Sequence, residues 1–138
     1  MANINAEGLI VGRMASIVAK KILNGEEVHV VNAEKAIITG RKGLLIEDYR
    51  TKRNMQNKQN PEKSPKFPNL PNLFVRRLIR GMLPWKTTRG KDAFRRLKVC
   101  IGNPENLKDF EIMEKAKPGN LVKFMTIDKL CKQLGWQG

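Results

Sequence analysis

A chain of 138 residues with a hydrophobic fraction of 41% can build one ordinary core and is too short for two. No apolar run approaches the ~18 residues of a membrane span, and the N-terminus lacks the apolar core of a secretion signal, so a cytoplasmic protein is expected. The 27 Lys and Arg against 13 Asp and Glu give a formal net charge of +14, and Arg41–Lys98 alone holds 17 of the basic and 4 of the acidic residues, a local +13. Solubility needs no such concentration; a potential that gathers polyanions does.

Before the basic segment the pattern alternates between strand and helix. A short extended piece near Asn3–Glu7 comes first, and Gly8 and Gly12 then bracket Leu9, Ile10 and Val11. From Arg13 to Asn24 the apolar residues take a helical period. Met14, Ala15, Val18, Ala19, Ile22 and Leu23 share one broad face, and Gly25 is placed to end the helix in a left-handed cap. The spacing of Gly8 and Gly12 is neither G-x-G-x-x-G nor a P-loop, so tight packing of strand on helix is their expected role. Val28–Val31 and Ala36–Thr39 predict two strands. His29, the only histidine, falls inside the first of these with nothing around it to suggest a triad. One histidine and two cysteines cannot assemble a structural zinc site.

The basic segment opens with an expected helix over Arg41–Arg53. Arg41, Lys42, Arg50, Lys52 and Arg53 cluster at its two ends, and Leu44, Leu45, Asp48 and Tyr49 fall near one another. Asn54–Asn69 has no usable period and sets Pro61, Pro65 and Pro68 among Lys58, Lys63 and Lys66. Irregular loops of this length are uncommon in compact domains unless functional or disordered, and proline lowers the entropy lost when such a loop docks. Pro71 suits the first turn of a second helix, with Phe74, Val75, Leu78, Ile79 and Met82 on its apolar face and Arg76, Arg77 and Arg80 opposite. Gly81 and Pro84 stop it. After Trp85–Thr88 a short helix turns Ala93, Phe94 and Leu97 inward, flanked by Arg89 and Arg96 on one side and Lys91 and Arg95 on the other. The planar donor fork of arginine matches phosphate oxygens, and two arginine-bearing helices in succession favour a nucleic-acid partner.

Lys98–Ile101 predicts a third strand, closed by the turn Gly102-Asn103-Pro104. Pro118-Gly119 turns the chain, Leu121–Met125 is mostly apolar, and Thr126 is positioned to cap a helix carrying Ile127, Leu130, Cys131 and Leu134. Cys100 and Cys131 lie among apolar neighbours and are expected as buried free thiols. The acidic pairs Glu26-Glu27 and Glu111/Glu114 read as solvated surface. Together these elements predict an α/β fold: a three-layer α/β/α sandwich around a small, mostly parallel sheet, one domain over residues 1–138, with a basic helical and loop insertion at 41–98.

Three blocks carry a family resemblance. The run Arg80-Gly81-Met82-Leu83-Pro84-Trp85-Lys86-Thr87-Thr88-Arg89-Gly90, continuing to Arg95-Arg96-Leu97-Lys98-Val99, resembles the signature of universal large-subunit ribosomal protein thirteen. Asn5–Ser16 resembles that family's opening, and Val31-Asn32-Ala33-Glu34-Lys35-Ala36, leading to Thr39-Gly40, its second block. The blocks occur in the family's order and the resemblance covers nearly the whole chain. It implies a structural role on large-subunit ribosomal RNA, as a monomer within the ribosome beside other large-subunit proteins, without catalysis, cofactor or metal. It also implies RNA contacts at Arg41, Lys42, Arg76, Arg77, Arg80, Lys86, Arg89 and Arg96. Arg50, Lys52, Arg53, Lys58, Lys66, Lys91 and Arg95 complete the expected RNA-binding set. Trp85 stands where such proteins often show His or another polar residue. The Asn57–Pro68 loop lacks the His- and Gly-rich look of bacterial members, which points to the archaeal type.

The rival readings are a small nucleotide-binding enzyme and a stand-alone DNA-binding or membrane-surface module. Gly40-Arg41-Lys42-Gly43 has phosphate-friendly chemistry, but no downstream Ser or Thr completes a Mg²⁺ site. The two arginine-bearing helices superficially resemble a helix-turn-helix, but Pro84 and a stiff linker replace the usual turn.

Overall fold

Alternation at the start of the chain resolves into a parallel ladder. The computed structural model describes all 138 residues. Strand β1 (Ala2–Asn5) lies parallel to β2 (Val28–Val31), with Ala2 opposite Val28 and Asn5 opposite Val31. Strand β4 (Leu97–Val99) pairs in parallel along the other edge of β2, Leu97 opposite Val28 and Val99 opposite Val30. Opposed residues in such a ladder point to the same face. Ile4, Val28, Val30, Leu97 and Val99 therefore form one apolar surface, and all five are buried.

Helix α1 (Val11–Leu23) is the crossover between β1 and β2, and it sinks Met14, Ala15, Val18, Ala19 and Ile22 into the core. Helices α3 (Pro71–Arg80) and α4 (Thr88–Arg95) pack against α1, adding Phe74, Val75, Ile79 and Ala93. The remaining strands, β3 (Ile37–Thr39) and β5 (Phe124–Thr126), form an antiparallel pair with Ile37 opposite Thr126. Helix α5 (Ile127–Gln133) follows β5 without a break and buries Ile127, Leu130 and Cys131. Helix α2 (Lys42–Asn54) follows β3 and has no fully buried residue. The expected α/β class with mostly parallel strands is what the structure shows: the three-stranded sheet β1-β2-β4 is parallel throughout, and β3 and β5 form a separate two-stranded antiparallel sheet. No helix is long and apolar enough to cross a membrane.

Several local expectations are corrected. Helix α1 begins at Val11, so Gly12 lies inside its first turn. A methyl group added at Gly8 or Gly12 would meet nothing within 4 Å, so tight packing explains neither. Gly8 instead sits at φ +72, a conformation that side chains disfavour; nothing in the structure requires glycine at position 12. The apolar side of α2 consists of Leu45, Ile46 and Tyr49, while Leu44 is 54% exposed. Strand β4 stops at Val99, although the Cys100 N–H still donates to the Val30 carbonyl at 2.8 Å. Val122 lies outside β5, fully in solvent. Thr126 does stand at the N-cap of α5, but its hydroxyl makes no cap bond; the Ile127 N–H donates to the Ala36 carbonyl at 2.9 Å instead.

The face of the parallel sheet turned away from α1 carries Asn3, His29 and Lys98, and the chain after Gly102 folds back beside it. Asn3 Nδ2 donates to the Lys108 carbonyl at 3.3 Å, and the Glu111 N–H donates to the Asn3 carbonyl at 2.8 Å. Lys98 pairs with Glu105, whose carboxylate also lies 3.8 Å from His29 Nδ1. Lys21 bridges Glu111 at 2.9 Å and Glu26 at 3.4 Å beside the end of α1, and both acids, like Glu27 and Glu114, are exposed on the surface as expected. The Glu111 bond is the largest cause raising the Lys21 pKa above its ordinary value. His29 occupies an ordinary strand position, as expected.

In the turn between α3 and α4 the backbone at Gly90 lies close against that at Pro84. Thr87 caps α4: its Oγ1 accepts from the Gly90 N–H at 3.3 Å and donates to the Pro84 carbonyl at 2.8 Å. A methyl group at Gly90 would lie inside contact distance of that same carbonyl. Gly90→Ala should therefore cost about 3 kcal/mol, at the upper end of overpacking effects, read as a lower urea midpoint at unchanged m-value.

Both cysteines are free thiols, Cys131 buried and Cys100 half-buried. Burial, with a smaller contribution from Asp128, pushes the Cys131 pKa up to about 12 from its ordinary 9.0. A raised acid pKa contributes stability that is fully present below the unfolded value and fades as pH climbs through the folded one. Stability should accordingly decline from about pH 9 towards 12. An aromatic disulfide reagent at pH 8 should modify Cys100 in the native protein and Cys131 only after unfolding; prompt native labelling of both would contradict this packing.

Candidate nucleic-acid interface

The spacing of Arg76, Arg77 and Arg80 along α3 puts all three on the side opposite Phe74, Val75 and Ile79. Each guanidinium lies over an aromatic ring. Arg76 stands 4.6 Å from the Phe94 centroid, Arg77 4.9 Å from Phe67, and Arg80 4.1 Å from Trp85. The rings come from three places: Phe67 from the loop before α3, Trp85 from the turn after it, and Phe94 from α4. They are themselves braced. Trp85 meets Phe94 edge to face at 5.2 Å, and Phe67 packs at 5.5 Å from both Tyr49 and Phe74.

Stacking uses the face of a guanidinium and leaves its in-plane N–H groups for other partners. It also removes rotamer freedom before any ligand arrives, which lowers the entropy lost on binding. The Arg80 side chain makes no hydrogen bond or ion pair within the protein, and the buried Arg76 Nε has no partner. The arginines form a ridge between two clefts. One, of about 340 Å³, is lined by Pro68, Leu73, Trp85, Phe94 and all three arginines; the other, of about 330 Å³, is lined by Arg77, Arg80, Gly81, Leu83 and Trp85. Trp85 thus packs on Phe94 and supports Arg80 at once.

The proline-containing loop is held from both sides. Arg53 Nη1 donates to the Phe67 carbonyl at 2.9 Å and Arg77 Nη1 to the Lys66 carbonyl at 3.0 Å. The Asn57 N–H donates to Ser64 Oγ at 2.7 Å across a short 3₁₀ turn at Pro61–Lys63. These bonds join side chains to backbone and follow no period. Lys58, Lys63 and Lys66 remain exposed on the loop's outside. Lys52 lies 4.7 Å above the Tyr49 ring, whose hydroxyl burial pushes above its ordinary pKa, with Asp48 adding to the rise.

The other expected contacts divide by what they already hold. Lys86, Arg89 and Lys91 are exposed and make no internal ion pair. Arg95 pairs with Asp92 at 3.3 Å, and Arg50 reaches the Gln133 carbonyl at 3.4 Å. Arg96 is different: half-buried, it donates from Nη1 to the Ile22 carbonyl at 3.1 Å and so caps the end of α1. Arg41 and Lys42 are not brought to the arginine ridge; they line a separate cleft beside β5 and α5. The ring partners Phe67 and Phe94 escaped the sequence reading, because nothing in their spacing ties them to arginines on another element. No group of three or more His, Cys, Asp or Glu side chains is placed to hold a metal.

Fold and surface together define a small α/β protein with one strongly cationic, aromatic-backed side. Comparison with known proteins gives the family. Residues 1–106 match the family described as Ribosomal protein L13. The Large ribosomal subunit protein uL13 of Methanosarcina barkeri is 49% identical over 140 residues, covering 98% of each chain. That of Methanocaldococcus jannaschii is 47% identical over 139 residues with the same coverage, and that of Archaeoglobus fulgidus is 46% identical over 140 residues, covering 98% of this chain and 88% of its own. The chain belongs to the ribosomal protein L13 family, a family of ribosomal proteins and not of enzymes, and these relatives are archaeal, as the loop composition indicated.

Two substitutions separate support from surface. Arg96→Ala should lower stability by about 1 kcal/mol in urea unfolding through loss of the α1 cap, whereas Arg80→Ala should stay within about 0.5 kcal/mol of the parent. Phe67→Ala should cost about 2 kcal/mol and speed tryptic cleavage at Lys58, Lys63 and Lys66. An unchanged cleavage rate would show that the ring does not anchor the loop.

Proposed function

We propose that this chain is a structural constituent of the large ribosomal subunit and binds large-subunit ribosomal RNA through the arginine side of α3 and α4. The observation that carries this reading is the set of three guanidinium groups pre-stacked on rings, with Asp92 the only acidic residue in either helix. Family membership and the names of the archaeal relatives support it.

Lys and Arg displace counterions condensed on RNA, and their release supplies much of the affinity. Contacts of this kind position a protein without reading bases; selectivity comes from the shape of folded RNA. Arg76, Arg77 and Arg80 form the inner row of the interface. Lys86, Arg89, Lys91 and Arg95 extend it along the turn and α4, and Lys58 and Lys66 extend it along the loop. Arg53 and Arg96 hold backbone carbonyls and shape the surface from within. The protein acts as a wedge that stabilises one arrangement of RNA segments during assembly, within the ribosome and beside other large-subunit proteins. One hydrophobic cluster draws buried residues from Ile4 to Leu134, which supports reading residues 1–138 as one domain.

The test is binding of deproteinised large-subunit rRNA across a salt series. Arg76→Gln/Arg80→Gln should weaken binding and flatten the slope of log affinity against log salt by roughly 1.5, as expected for two lost phosphate contacts. Affinity that ignores both salt and the double substitution would refute the proposal.

A further inference from the structure

A second cationic site lies away from the arginine ridge. The Gly40 N–H donates to the Lys123 carbonyl at 3.0 Å and Thr39 stands opposite Phe124, so the antiparallel pair sets the start of α2 beside the chain entering β5. This gathers Arg41, Lys42, Lys123 and Lys129 around one cleft of about 420 Å³, with Phe124 also in its wall. All four cations are exposed, and none forms an ion pair or donates a side-chain hydrogen bond within the protein. No acidic side chain lines the cleft, and Phe124 is 42% exposed. Unpaired cations occur elsewhere on the surface too, Lys20, Lys108 and Lys115 among them; these four differ in sharing one concavity that no carboxylate lines.

The geometry points to a second RNA-binding site, in which Arg41, Lys42, Lys123 and Lys129 hold the phosphodiester backbone of a separate RNA segment and Phe124 stacks an unpaired base. This rests on the reading that the chain binds ribosomal RNA, and it adds a distinct place of contact. The cleft shares no residue with the two that flank the arginine ridge. Unpaired cations around a concavity suit a polyanion, and an exposed ring among them suits a base out of its stack, since every base has a π-face to offer. Lys123 and Lys129 lie outside the segment that holds nearly all of the chain's charge excess, and outside residues 1–106 that match the family. Only the fold brings them to Arg41 and Lys42. With two sites, the protein ties two RNA segments to one rigid body.

The experiment uses the full chain and deproteinised large-subunit rRNA, with affinity measured over a salt series and hydroxyl-radical footprints taken on the bound RNA. Lys123→Gln/Lys129→Gln should flatten the salt slope by roughly 1.5 and lose one set of protections, while keeping those that Arg76→Gln/Arg80→Gln loses. Phe124→Leu should weaken binding with the slope unchanged; parental affinity would overturn the stacking role. If the Lys123/Lys129 variant binds and protects like the parent while the Arg76/Arg80 variant is weakened, the second site is refuted and the arginine interface stands. If neither variant differs from the parent, the RNA-binding reading itself falls. A Lys123/Lys129 variant that binds RNA normally yet fails to enter assembling subunits would give the cleft to an acidic protein segment instead, which also overturns the proposal.

Discussion

Helix α3 can hold three arginines outward only because its other side is sunk into the core. Phe74, Val75 and Ile79 are buried against α1 and the sheet, each stabilising the fold by about 1.5–3 kcal/mol relative to exposure. That packing fixes the rotation of the helix about its own axis, and the rotation fixes where Arg76, Arg77 and Arg80 emerge. The turn that follows is just as constrained, because Gly90 lies against the Pro84 carbonyl and brings α4 back under α3. Only then can Phe94 and Trp85 stand where the guanidinium groups need rings. The core and the cationic surface are thus two sides of one helix.

A segment with a local charge of +13 has to fold against its own repulsion. Few carboxylates are available to relieve it, and the structure uses other acceptors. Arg53, Arg77 and Arg96 direct donors at backbone carbonyls, and Lys52, Arg76, Arg77 and Arg80 rest on π-faces. Such partners orient a cation without neutralising it, so the field stays available to an external anion. Arg96 marks the boundary between the two uses: it carries the same charge as its neighbours, and it serves the end of α1.

What could be read in advance was what repeats. The periods of Met14–Ile22, Phe74–Ile79 and Ile127–Leu134 give their helices directly, and Val28–Val31 gives its strand, because each pattern is local and buried on one face. The charge of the middle segment needs only counting. Partners that meet across the fold leave no such mark. Nothing in the order of residues pairs Arg77 with Phe67 or Lys21 with Glu111, assigns Arg96 to a carbonyl of α1, or makes β3 and β5 antiparallel. The helix boundary at Val11 and the exposure of Leu44 were missed for the same reason: both depend on which neighbour covers a residue, and that is settled in three dimensions.

The strand order β1-β2-β4 bears on the path of folding. β2 is the central strand, and one of its edges stays open until Leu97–Val99 arrive, after the entire cationic insertion. Pairings so far apart in sequence make folding slow, since the intervening loop has to be closed before they contribute. A nascent chain therefore carries an unpaired β2 edge and its full complement of arginines at the same time. The polyanion that the mature surface attracts can reach that half-made chain too, so for this protein meeting its partner and finishing its sheet can be a single kinetic event.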